Sequence, residues 1–197
     1  MPGIRTYLPK LMMSVQKIKY GKKCEFYGLP VIVKTGDSEM TLGEGVVVKS
    51  SFLSNLIGLY QRTIIMARAG GKIILEDDVR MSATTIYSRA SIRIGKHTSI
   101  GANVKILDHD FHPIDPEERL EHPNSGMKCK SIDIGENVFI GCNCIILKGT
   151  KIGNNCVIGA GAVVSGTFED NCVIAGNPAR VVRKIEIKDK NNCGDRA

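Results

Sequence analysis

"IGENVFIGCNCIILKGTKIGNNCVIGAGAVVSGTFE", residues 134–169, reads as six consecutive hexads with Ile134, Ile140, Ile146, Ile152, Ile158 and Val164 in one register. A small residue or Gly usually follows the aliphatic. Upstream, IGKHTS and IGANVK carry the theme from Ile94 and Ile100 to Ile106, LEDDVR and MSATTI hold it at Leu75 and Met81, and LGEGVV holds it at Leu42. Six residues at about 100° each would swing an aliphatic off any helical face. Even spacing keeps side chains on one side of an extended segment. The pattern therefore predicts a β-solenoid of short strands and turns, its aliphatics stacked inside as ladders and each coil burying its face against its neighbours. Gly, Asn and Asp after the aliphatic supply the turn conformations.

Irregularities mark the limits of the pattern. Between Met81 and Ile94 the spacing slips by one residue, which predicts a bulge. Residues 1–41 and 50–72 lack the period, so residues 1–41 read as an irregular N-terminal segment and "SNLIGLYQRTIIMARAGGK" as strands of irregular coils. The repeat domain is placed at residues 42–170, with a C-terminal cap and polar tail over 171–197. Asn177-Pro178 is a turn signal, Ala179 to Ile187 reads as a short capping helix or strand, and KDKNNCGDRA is expected to fray.

The long interruption lies between Lys105-Ile106-Leu107 and Ile132-Asp133-Ile134, an excursion over residues 108–131. Its first part, "DHDFHPIDPEER" (Asp108 to Arg119), combines two histidines, five carboxylates and two prolines and reads as neither helix nor strand. Long loops in compact domains are usually functional or disordered. Pro113, Pro116 and Pro123 restrain this one, which favours function. Asp108, His109, Asp110 and His112 also raise a metal site, but nothing in the sequence fixes their geometry. His97 and His122 read as surface residues.

Composition agrees with a single ordered domain of aliphatic core: 43% apolar residues, 5% aromatic, no Trp and 21 Gly in 197 residues. No run is apolar enough for a membrane span and no signal-peptide pattern opens the chain, so a cytoplasmic location is expected. The seven cysteines lack paired spacing; buried thiols are expected rather than disulfides or a zinc ribbon. The formal charge of +7 gathers at Lys17, Lys19, Lys22 and Lys23 and near Arg180, Arg183 and Lys184. It suits an anionic partner without saying which: no recognised motif supports nucleic acid, and a phosphorylated small molecule would serve equally well.

Taken together, the hexads, "HPIDPEER" in the loop, "VFIGCNCIILKGTKIGNNCVIGAGAVV" and "AGNPARVVRKI" resemble the hexapeptide-repeat acyltransferases, in particular the maltose and galactoside O-acetyltransferase branch, over residues 72–187. The resemblance implies an all-β fold, a single-domain left-handed parallel β-helix with an excursion loop. It also implies a homotrimer with active sites between subunits, acetyl-CoA as co-substrate, no required metal, and a saccharide acceptor.

The same resemblance implies the site residues. The His of the His-Pro dipeptide, the general base of the family, falls on His112, with His109 the weaker candidate. An imidazole titrating near neutral pH suits removal of a proton from a sugar hydroxyl. Acetyl-CoA is expected along Gly141, Cys142, Ala160, Gly161, Ser165 and Gly166, with its phosphates at Arg180 and Arg183, whose guanidinium forks match phosphate oxygens. Cys142 stands where relatives often carry a hydroxyl or Gly, and a thiol is a weak donor, so oxyanion stabilisation falls to a backbone N–H. Ala83 stands near where sugar-binding relatives carry an Asn. The expected activity is acetyl transfer from acetyl-CoA to a saccharide hydroxyl in a ternary complex. N-acetyl transfer to an amino sugar, a zinc lyase of the γ-carbonic anhydrase type and a non-catalytic scaffold remain as alternatives.

Overall fold

A computed structural model describes residues 4–123 and 125–187. The strands form three sheets of seven, eight and six strands, and apart from the last, antiparallel strand of the second sheet all pair in parallel with neighbours three strands away in the chain. Each turn of the coil thus contributes one strand to each face. The hexad aliphatics visit the three faces in succession, so every third one belongs to the same ladder. Leu42, Leu75, Ile94, Ile134 and Ile152 stack on the first face. Val48, Met81, Ile100, Ile140, Ile158 and Ile174 stack on the second, and Ile32, Ile65, Ile86, Ile106, Ile146 and Val164 on the third. All are buried in one continuous core. With no long-range hydrophobic partner beyond the adjacent coils, this stacking is the source of stability.

The expected irregular segment over residues 1–41 needs correction. Lys19–Tyr20, Glu25–Tyr27, Val31–Lys34 and Glu39–Leu42 are coil strands paired in register with the next turn. The period fails there because residues 35–38 add a wider corner, and Cys24, Phe26 and Met40 replace the Ile-Gly signature at inward positions. A helix, α1 (Ile4–Val15), precedes the first coil. Within residues 50–72, residues 50–63 leave the coil between the second and third faces, and Ile64–Ala67 and Lys72–Leu75 return to it. The bulge expected between Met81 and Ile94 falls instead on the facing strand, where Ile100 and Ala102 pair with Met81 and Ser82 and Gly101 is the extra residue. At the other end, Cys172–Gly176 still extends the second sheet, and Ala179–Lys184 turns back antiparallel to it. The fraying expected of residues 188–197 lies outside the described residues.

Turns follow one rule. The third residue after the aliphatic adopts positive φ at His97, Asn103, Asn137, Asn143 and Asn155. Asn tolerates this region better than other side chains, and here it also links coils: Asn137 donates to Asn155 at 2.9 Å and Asn155 to Asn171 at 3.0 Å. Gly141 has a different cause. A Cβ there would meet the backbone N of Ala160 at 2.6 Å, so close stacking of coils demands Gly.

Candidate active site

The excursion over residues 108–131 leaves the coil between the third and first faces. Its base is tied by backbone bonds, Asp110 N–H to Lys128 at 3.2 Å and Lys130 N–H to Asp108 at 2.8 Å, with an antiparallel bridge between His109 and Cys129. Contrary to the expectation of neither helix nor strand, Pro116–Glu121 forms a short helix, α2. Pro116 occupies its first turn and the Asp115 carboxylate accepts from the N–H groups of Glu117 and Glu118, both at 2.9 Å, the arrangement that suits a helix start. Arg119 folds back to donate to the carbonyls of Pro113 and Ile114.

The two loop histidines have opposite surroundings. His109 is 5% exposed. Its Nδ1–H donates to Asp108 at 3.1 Å, and its ring is held against Tyr87 and Phe111, with centroids 4.6 and 4.3 Å away. Asp108 is fully buried. Besides His109 it accepts from the Ser88 hydroxyl at 2.7 Å and from the N–H groups of Arg89 and Ala90 at 2.8 and 2.9 Å. This cluster fastens the start of the excursion to the preceding coil. His112 is exposed. Its Nδ1–H donates to the Pro123 carbonyl at 2.8 Å, across the loop. That bond fixes the tautomer and leaves Nε2 with a free lone pair. Asp110 pairs with Lys148, on the corner one coil further along, and its other carboxylate oxygen is buried with no partner.

The remaining candidate residues fall into three places. Gly141 and Cys142, and one coil later Ala160 and Gly161, lie between the second and third faces. Ala160 and Gly161 are exposed, and nothing lies within 4 Å of a Cβ built on Gly161, so their backbone is open to a ligand. Cys142 is half-buried against Ala83, Ala102 and Leu59. Ser165 and Gly166 share the corner of the His112 excursion, and both are exposed. Arg180 and Arg183 are exposed on the returning strand beside the second sheet, with no carboxylate partner among the described residues. Within one chain, therefore, the structure does not bring His112 to Cys142, Ala160 and Gly161; a whole face separates them. Ala83 is fully buried beneath Leu59, so it cannot contact an acceptor.

Sequence reasoning missed Asp108 as the anchor, although the "DH" dipeptide was visible, and it missed an open groove on the outside of the second sheet. That groove, about 510 Å³, includes Lys23, Lys49, Arg80, Ser99 and Phe139. Its signal was present: Arg80, Ser99 and Phe139 are outward positions in one row across successive strands.

Among the described residues no group of three His, Cys, Asp or Glu side chains is placed to hold a metal ion. His97 is exposed and faces Asp78 at 3.4 Å, and His122 is exposed at the end of α2. The described cysteines are free; burial pushes the thiols of Cys144 and Cys156 above the ordinary range. No helix among the described residues is long and apolar enough to cross a membrane.

Residues 131–166 match the bacterial transferase hexapeptide family (six repeats). A putative lipopolysaccharide biosynthesis O-acetyl transferase of Escherichia coli (strain K12) is 34% identical over 126 residues, 61% of this chain and 64% of that protein. Galactoside O-acetyltransferase of Lactococcus lactis subsp. lactis (strain IL1403) is 39% identical over 105 residues, 53% of this chain and 49% of that protein. The chain thus spans about half to two thirds of the curated relatives it matches. Among solved structures, an N-acyltransferase from Bacillus cereus, AntD, in complex with dTDP and 3-hydroxybutyryl-CoA, superimposes with a TM-score of 0.68 at 17% identity, covering 90% of this chain and 88% of that one. The fold is shared with that enzyme, and the chain is similar in sequence to the two O-acetyltransferases over the stretches given.

Proposed function

We propose, for a chain that carries the bacterial transferase hexapeptide repeat over residues 131–166, that it is an acetyl-CoA-dependent O-acetyltransferase acting on a saccharide hydroxyl. The coil is taken as left-handed, the working form as a cytoplasmic homotrimer, and the repeat domain as residues 42–170 extended towards Lys19. The observation that carries the reading is His112, exposed on an excursion from the repeat with its Nδ1–H committed to the Pro123 carbonyl at 2.8 Å.

Acetyl-CoA supplies an acetyl group already activated as a thioester. His112 Nε2 takes the proton of the acceptor hydroxyl as its oxygen attacks the thioester carbonyl, and returns it to the departing thiol sulfur. The Pro123 carbonyl steadies the imidazolium that forms between the two transfers. No covalent acyl-enzyme and no metal is needed. Oxyanion stabilisation falls to a backbone N–H near Cys142, the exposed backbone at Ala160 and Gly161 lies beside the pantetheine arm, Ser165 and Gly166 touch its far part, and Arg180 and Arg183 meet the phosphates. Because His112 and the Cys142 corner are separated on one chain, the base, with Ser165 and Gly166 on its corner, is assigned to one subunit and the Cys142, Ala160 and Gly161 part of the slot to its neighbour. His109 is the weaker candidate for base because its ring is enclosed and already committed to Asp108.

The test is an acceptor screen with acetyl-CoA, following thiol release. His112→Ala is expected to lower kcat by about 10²–10⁴-fold with acetyl-CoA binding retained. Full activity in His112→Ala, with loss in His109→Ala, would assign the base to His109 instead.

A further inference from the structure

Helix α1 has two apolar faces. Thr6, Pro9 and Met13 point inward and are buried, Met13 completely, as part of the core. Tyr7, Leu8, Leu11, Met12 and Val15 point the other way, with Tyr7, Leu11 and Val15 exposed at 65, 62 and 76%. At about 100° per residue these five side chains share an arc of roughly 140°. Packing against the coil explains the first face and leaves the second unexplained.

The direction of that outer face is fixed by how the helix is held. Helix α1 packs against the first strand of every sheet, Lys19–Tyr20, Glu25–Tyr27 and Val31–Lys34. Thr6 donates to the Phe26 carbonyl, and Gln16 bonds to the Ile32 carbonyl and the Lys34 N–H. The helix is therefore a lid across the end of the coil, and its outer face points along the coil axis. Subunits packed side by side would leave it uncovered. A second apolar group, Phe52, Leu53, Leu56 and Ile57 on the 50–63 excursion, is exposed along the side of the coil, where Asn55 and Gly58 bond to Ser82 and Asn103 of later turns.

Charge identifies the occupant. Residues 1–34 hold seven basic residues (Arg5, Lys10, Lys17, Lys19, Lys22, Lys23, Lys34) against Glu25 alone, a balance of +6 in a chain whose total is +7. Lys17, Lys19, Lys22 and Lys23 are all exposed. A cluster of cations around an apolar helix face is what adsorption to an anionic bilayer requires: the apolar side chains enter the headgroup boundary and the lysines meet the phosphates. Nucleic acid would use the cations and leave the apolar face in water. We propose that the α1 end of the coil docks on an anionic lipid surface, in the plane of the interface rather than across it. The inference is independent of the proposed acetyl transfer.

The full chain is sedimented with vesicles of phosphatidylcholine alone and of phosphatidylcholine with about one third phosphatidylglycerol, where each basic side chain is expected to contribute about fivefold in partitioning. Binding is expected to the anionic vesicles only, and to fall as salt is raised to about 0.5 M. Leu11→Glu/Val15→Glu is expected to reduce it by at least about tenfold, with unchanged circular dichroism and unchanged mass by light scattering. Lys17→Gln/Lys19→Gln/Lys22→Gln, which touches no packed residue, reports the charge contribution if the first variant misfolds. Wild type remaining in the supernatant with both vesicle types overturns the proposal. So does a Leu11→Glu/Val15→Glu protein of lower oligomeric mass with undiminished vesicle binding, which would make α1 a subunit contact.

Discussion

At Asp108 one carboxylate meets four donors in a position closed to water: the Ser88 hydroxyl, the N–H groups of Arg89 and Ala90, and the His109 ring. Truncation there strands all four, and buried donors without acceptors are costly. Asp108→Ala is expected to lower stability by about 2–4 kcal/mol, read as the midpoint of urea unfolding, and to open the 108–131 excursion to proteolysis. Asp108→Asn, which keeps one acceptor oxygen, should lose less. Equal losses in the two variants would show that the negative charge and second acceptor oxygen of the carboxylate, which Asn lacks, set the whole cost. The contrast with His112 is instructive. Four residues along, the imidazole is exposed and one carbonyl bond orients it, an arrangement suited to chemistry because the free nitrogen remains accessible.

At the scale of the turn, each coil must pass within backbone contact of the next. Gly141 shows the requirement: a methyl group would meet Ala160 N at 2.6 Å and its Cα at 2.8 Å. Gly141→Ala is expected to cost about 1–3 kcal/mol as an overpacking change; Gly161→Ala, where nothing lies within 4 Å, has no such clash and only the strain of φ +74°. Thermal unfolding of the pair separates the two contributions, and equal melting points would count against the stacking argument. Gly141 directly follows Ile140 and Gly161 stands three residues after Ile158, two hexad positions that the sequence alone does not rank by crowding. What was legible is the regular part: Ile134 to Val164 occupy the buried ladders their spacing implies. What escaped was coil structure carried by other residues. Cys24, Phe26 and Met40 fill inward positions without the Ile-Gly mark, and corners widened at 35–38 and 50–63 hide the period. Helix α2 was obscured because a six-residue helix presents too little pattern, although its Asp115-Pro116 start was readable as a cap.

Across the molecule, the arrangement of corners makes a prediction that a self-contained site would not. His112 stands on the corner between the third and first faces, and Cys142, Ala160 and Gly161 on the corner between the second and third. If catalysis joins these corners, it joins them from two chains in a closed symmetric assembly. A chain with His112→Ala lacks a base but offers an intact slot; a chain with Gly161→Trp blocks the slot but keeps its base. Each variant alone is expected to be inactive. In a trimer that holds both variants, one of the three sites pairs an intact excursion with an intact slot, so thiol release in isolated mixed trimers should recover to about a third of the wild-type rate. The measurement is a comparison of co-expressed with separately expressed, then combined, proteins, after isolating oligomers that carry both affinity tags. Mixed oligomers that form and stay inactive would place base and slot on the same chain, and the separation of the corners would then have to be closed by movement of the 108–131 excursion.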